Sequence, residues 1–101
     1  MKEKEEMMAA IQECDAMECS FNQNKKCHAF AINVGGPNEI CASCDTFFKT
    51  NVKGGLQNVS GGVGACKVQS CVYNKLLQCT AGSVRFSLHE SHADCATYQP
   101  L

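Results

Sequence analysis

Two short stretches of the chain alternate polar and apolar residues, Ala31-Ile32-Asn33-Val34 and Ser83-Val84-Arg85-Phe86. A period of two marks a strand with one buried face, so a short strand is expected at each. In the first stretch Gly35-Gly36-Pro37-Asn38 follows, a turn signal that ends the strand. The N-terminal pattern is different. Residues 2–13 are good helix formers with Met7, Met8 and Ile11 grouped on one side, which predicts a short α-helix within 1–13, its apolar side packed on the chain's own first module. No run of about 18 apolar residues occurs, and no membrane span is expected.

The pattern then repeats. Cys14, Cys19, Phe21, Asn22 and Cys27 recur 52 positions later as Cys66, Cys71, Tyr73, Asn74 and Cys79, so both copies read Cys-x4-Cys-x-aromatic-Asn-x4-Cys. Ala29 matches Ala81, Ile32 matches Val84 and Val34 matches Phe86; after a one-residue length difference, Cys44-Asp45-Thr46-Phe47 matches Cys95-Ala96-Thr97-Tyr98. Searching for such periodicity early matters because a missed repeat mis-assigns the architecture. The repeat predicts an N-terminal helix at 1–13, a cysteine-rich module at 14–50, a flexible glycine-rich linker at 51–65 and a second module at 66–101. The aromatics at 21, 73, 47 and 98 are expected to pack small cores, and the loop asparagines 22 and 74 to take a left-handed or Asx-turn conformation.

Composition explains why the cysteines matter. The chain has nine cysteines in 101 residues, no tryptophan, five phenylalanines and two tyrosines. A unit below roughly 40 residues buries too little surface to fold on apolar burial alone. The fold class expected is therefore a small, metal-stabilised, β-rich to irregular one: two tandem cysteine-rich modules behind a short helix. No signal-peptide pattern is visible at the N-terminus, which points to a reducing, cytoplasmic setting and to thiols as metal ligands instead of disulfides. Nine basic and ten acidic residues leave no field for phosphate backbones, so a nucleic-acid partner is not expected.

Zinc takes four soft or borderline ligands in a tetrahedron. Cys14, Cys19, Cys27 and Cys44 offer one such set, and Cys66, Cys71, Cys79 and Cys95 a second. The expected cofactor is zinc, two ions per chain, with iron as the minor alternative. One position adds to the case: Cys41-x2-Cys44 in the first module corresponds to His92-x2-Cys95 in the second. Histidine cannot replace a disulfide partner, but at a metal site the exchange is ordinary. Cys41 and His92 are thus alternative ligands, with the four shared cysteines preferred because both copies keep them. His28 and His89 have no counterpart and are read as surface residues.

The pattern Cys-x4-Cys-x-Phe/Tyr-Asn-x4-Cys-x-Ala, followed by a strand and a Cys/His-x2-Cys-x-Thr-Phe/Tyr ending, resembles the bacterial domain of unknown function numbered 1540. The resemblance covers both modules and includes Asn22, Asn74, Ala29, Ala81, Thr46 and Thr97. It implies a bacterial origin, a four-cysteine metal site and tandem copies, and it brings no reaction, substrate or partner. Cys41 departs from the histidine expected there.

The expected function is that of a structural or interaction protein built on two zinc sites, its partner an unidentified protein or a second copy. The alternative is a metal-handling or thiol redox-sensing protein with Cys41 as the spare thiol. A secreted disulfide scaffold is least favoured, given the odd cysteine count. An enzyme is not expected, because a closed four-ligand site leaves no open position for water.

Overall fold

A computed structural model describes residues 8–35, 42–89 and 92–101, the side chain of His89 excepted. Among these residues the chain forms nine strands and no helix: β1 Ala9–Cys14, β2 Asn22–Gln23, β3 Lys26–Cys27, β4 Ile32–Val34, β5 Gly62–Cys66, β6 Asn74–Lys75, β7 Gln78–Cys79, β8 Ser83–His89 and β9 His92–Cys95. The strands expected around residues 32–34 and 83–86 are β4 and the first half of β8.

The expected N-terminal helix is corrected. Ala9–Cys14 is a strand in which Ala9 and Ile11 are buried while Gln12 faces solvent, a period of two. Helix propensity at Ala9-Ala10-Ile11-Gln12-Glu13 is worth only tenths of a kcal/mol per residue. A place in mid-sheet, with neighbours on both sides, overrides it. Residues 1–7 of that expected helix lie outside the described part of the chain.

Five strands form one sheet in the order β4-β5-β1-β8-β9. The repeats do not stack as separate beads in this sheet; they exchange strands. β1 of the first repeat pairs in parallel with β8 of the second, Ile11 opposite Val84 and Cys14 opposite Phe86. Reciprocally, β5 of the second pairs in parallel with β4 of the first, Ile32 opposite Val63 and Val34 opposite Cys66. Each parallel pair carries a register shift at the matching place, Ile11/Glu13 in one and Ile32/Asn33 in the other. The two exchanged strands meet antiparallel in the middle, Ala9 opposite Val63 and Ala10 opposite Gly62.

The sheet also closes on itself. Val34 bridges to Cys44 and Ser43 bridges to Asp94, so residues 43–44 sit between edge strands β4 and β9. Two backbone bonds secure this seam symmetrically, Cys44 N–H to Ala93 O at 2.7 Å and Cys95 N–H to Ala42 O at 2.8 Å. Closing a sheet removes the unpaired edges that invite aggregation. The interior holds Ile11, Ile32, Val34, Val63, Val84, Phe86, Ala42 and Ala93, and the largest fully buried side chains are only valines, Val63 and Val84. Phe21, Phe47, Tyr73 and Tyr98 pack against this core. The radius of gyration, 12.4 Å, matches the roughly 13 Å of a folded domain of about 100 residues.

The stretch 51–65, expected as a flexible linker, is secured along much of its length. Gly54 N–H donates to Ser20 O (2.8 Å), Leu56 N–H to His28 O (2.9 Å) and Gly61 N–H to Cys27 O (2.8 Å); from Gly62 the chain is β5. Glycine is needed at position 55, where φ is +98° and a Cβ would lie 2.5 Å from the His28 carbonyl oxygen.

Each repeat also carries a small hairpin, β2-β3 and β6-β7, turned through two residues at positive φ: Asn24 and Lys25 at 55° and 65°, Leu76 and Leu77 at 54° and 67°. This is the two-residue hairpin geometry that favours Asn-Gly, and it suits leucine poorly. Leu76 and Leu77 gain little burial in return, being 92% and 45% exposed. Replacing them (Leu76→Asn with Leu77→Gly) should stabilise the protein by about 1 kcal/mol, raising Tm by roughly 4–8 °C. A Tm in thermal unfolding that stays put or falls would contradict this account of the turn.

Candidate metal centres

The hairpins present the cysteines. In the first repeat Cys14 ends β1, Cys27 ends β3, Cys19 sits in the turn before β2, and Cys44 lies in the seam; Cys66, Cys71, Cys79 and Cys95 occupy the equivalent places in the second. The described cysteines are thiols and not disulfide bridges. Each predicted set of four lines one small cavity of about 20 Å³. The rest of each wall is mostly apolar and comes partly from the other repeat: Phe86 and Ala93 close the first cavity, Val34 and Ala42 the second. The exchange of strands places them there.

One side chain per repeat organises this arrangement. Asn22 donates from Nδ2 to Cys14 O at 2.8 Å and accepts Lys25 N–H on Oδ1 at 3.0 Å; Asn74 does the same with Cys66 O (2.8 Å) and Leu77 N–H (3.2 Å). The hairpin is thereby fastened to the strand that ends in the first cysteine, and Cys14 N–H to Lys25 O and Cys66 N–H to Leu77 O, both 2.9 Å, complete the junction. Of the two conformations expected of the asparagines, the left-handed backbone is not adopted, the residues at positive φ being the two that follow Gln23 and Lys75, whereas each side-chain oxygen does accept a backbone amide of the turn ahead of it. Thr46 and Thr97 fasten the last cysteine in a similar way. Their Oγ1 atoms accept the Asn33 and Arg85 amides at 3.3 and 3.0 Å.

Backbone amides also point at the sulfurs. Ala16 N–H donates to Cys14, Thr46 to Cys44, Ala81 to Cys79, and Thr97 and Tyr98 to Cys95. Such donors favour thiolate. Burial opposes them more strongly: it pushes Cys14, Cys79 and Cys95 above the ordinary thiol value and Cys44 up to about 12, with neighbouring cysteines of the same set adding to the rise. A cation is the counter-charge that would reverse this balance.

The fit to a metal ion is good in chemistry and incomplete in spacing. Four thiols around a cavity of about one water's size, two of each set with N–H support, suit a single soft or borderline ion. Among the described residues, however, no group of three or more His, Cys, Asp or Glu side chains stands in a ready metal-holding arrangement. Cys41 lies outside the described residues. His92, the other alternative ligand, is exposed on β9 and lines neither cavity. His28, expected at the surface, is half-buried with Nδ1 3.1 Å from Leu56 O, and the side chain of His89 is not described.

With this geometry in place, the sequence can be set against known families. The model of the Domain of Unknown Function (DUF1540) matches residues 13–47 and 65–98, and the chain belongs to that family, in two tandem copies. No curated protein and no solved structure matches the chain. No helix among the described residues is long and apolar enough to cross a membrane.

The asparagine clamp gives a measurable asymmetry. Asn22 is 3% exposed, whereas Asn74 is only partly buried. Asn22→Ala should cost about 2–3 kcal/mol by leaving a buried carbonyl and amide unmet, and Asn74→Ala about 1 kcal/mol; equal losses in urea unfolding would refute the role given to burial. The thiols give a pH dependence. Their pKa is raised in the folded state, so the metal-free, reduced protein keeps this contribution below the unfolded value near 9.0 and loses it as pH rises toward about 12. Unfolding midpoints that rise between pH 8 and 10.5 would contradict the burial of these groups.

Proposed function

We propose that the chain is a metal-stabilised structural or interaction protein that holds two zinc ions, one within each four-cysteine set. The observation that carries this reading is the lining of a small cavity by four thiols in both repeats, with amide donors to two sulfurs of each set. Drawing four sulfurs onto one ion at about 2.3 Å needs an inward adjustment of the thiols. The hairpins that end in Cys27 and Cys79 are short and exposed at their tips, which leaves them room to adjust.

A closed tetrathiolate ion supplies folding free energy, on the order of 10–16 kcal/mol in small zinc peptides at neutral pH. A core whose largest fully buried side chains are valines gains much from such a term. The protein is read as non-catalytic, since four protein ligands leave no position for a reacting water. Reduced thiols of this kind belong in a reducing compartment.

Metal analysis by mass spectrometry on protein purified without added metal should find two zinc equivalents per chain. Cys19→Ser and Cys71→Ser should each lose at least one equivalent and lower Tm. Protein that is folded, fully reduced and metal-free overturns the proposal, and a red, iron-containing product would change the metal while keeping the sites.

A further inference from the structure

The two candidate centres are built partly from the same backbone. Residues 42–44 serve both: Cys44 belongs to the first set, while Ala42 lines the second cavity. Residues 93–95 mirror this, with Cys95 in the second set and Ala93 against the first cavity. The two stretches are joined directly, Cys44 N–H donating to Ala93 O at 2.7 Å and Cys95 N–H to Ala42 O at 2.8 Å. Each bond runs from a candidate ligand to the wall of its own cavity, and that wall residue lies two places from a ligand of the other set.

The first cysteine of each set is tied in a related way. Asp15 N–H donates to Phe86 O at 2.9 Å and Lys67 N–H to Val34 O at 2.8 Å, so the residue after Cys14 holds a wall residue of the first cavity, and the residue after Cys66 one of the second. Phe86 in turn lies opposite Cys95 on β9, and Val34 bridges to Cys44. Two of the four cysteines in each set therefore sit on backbone that also shapes the other centre. The seam between them is slight. It consists of the isolated bridges Val34 with Cys44 and Ser43 with Asp94, above a core whose largest fully buried side chains are valines. Local order in so thin a junction depends on what holds residues 44 and 95.

We propose that the two four-cysteine sets fill as a coupled pair, an ion in either set raising the affinity of the other. The inference rests on the reading of each set as a metal centre. Cys44, once closed on an ion with the rest of its set, fixes residues 42–44, and with them the Ala42 carbonyl that receives Cys95 N–H. The second set then closes on backbone that is already ordered. Reciprocity requires the second set to do the same for the first. The chain thus passes between empty and fully loaded with little of the half-loaded form, and responds to free zinc over a narrower range of concentration than two separate sites would.

The test is native mass spectrometry of the full, reduced chain in zinc buffers of graded free concentration. Two independent sites, equal or unequal, leave at least about half of the molecules with one ion at half saturation, whereas coupling of about tenfold between equal sites lowers that share to about a quarter, the expected result. Ala42→Gly combined with Ala93→Gly loosens the seam and touches no cysteine; this variant should still take two ions, with the one-ion share returning toward about half. A share of about half or more in the unaltered chain overturns the coupling, and a share that stays near about a quarter in the double variant overturns the seam as its route. Absence of any zinc uptake would overturn the metal centres themselves, and the coupling with them.

Discussion

Everything in this molecule depends on where the first strand of each repeat goes. β1 does not pair with β4 of its own repeat; it lies in parallel beside β8 of the other, and β5 returns the exchange. Parallel pairs are usually buried on both faces; here one face is, with Ile11, Ile32, Val63 and Val84 inside while Gln12, Asn33, Ser83 and Arg85 are exposed. The exchange also fixes the composition of each candidate centre. One repeat supplies four sulfurs, and the other supplies the apolar residues at their back, Phe86 and Ala93 or Val34 and Ala42. Stability of one centre and packing of the other half are therefore a single quantity, consistent with a cooperative fold.

Around this frame the polar side chains act as fasteners. Asn22 and Asn74 fix a hairpin to a strand, Thr46 and Thr97 fix the last cysteine's loop to β4 and β8, and Arg85 reaches Glu13 across the exchanged pair at 2.9 Å. None of these contacts is large in free energy; the Arg85–Glu13 pair is well exposed and contributes little. Their effect is geometric, setting the direction from which each sulfur approaches its cavity.

Much of the site was legible in the sequence because chemistry repeats with spacing. The two sets of four cysteines were found from a 52-residue period, and the structure brings each set to one cavity. Thr46, Thr97, Asn22 and Asn74 were visible as matched positions, although the left-handed backbone expected of the asparagines belongs instead to their neighbours two and three places on. The strands at 32–34 and 83–86 followed from alternation. What was not legible was pairing. Ala9-Ala10-Ile11-Gln12-Glu13 favours a helix locally, and only its position between β5 and β8 makes it a strand. The glycines of 51–65 read as slack, whereas Gly55 and Gly61 are there because the His28 carbonyl and the Cys27 sulfur leave no room for a side chain. Local sequence carries no record of which distant strand will lie alongside.

The central antiparallel contact of Ala9 with Val63 and Ala10 with Gly62 relates the two copies by an approximate two-fold axis. A polypeptide carrying just one copy would have its first strand and its fourth strand but nothing to place between them. Two such polypeptides, turned about the same axis, would trade first strands and rebuild the ring as an isologous dimer. The duplicated chain can thus be understood as a swapped homodimer whose subunits have been joined end to end, with the joint, residues 51–61, afterwards free to fasten itself onto the first repeat.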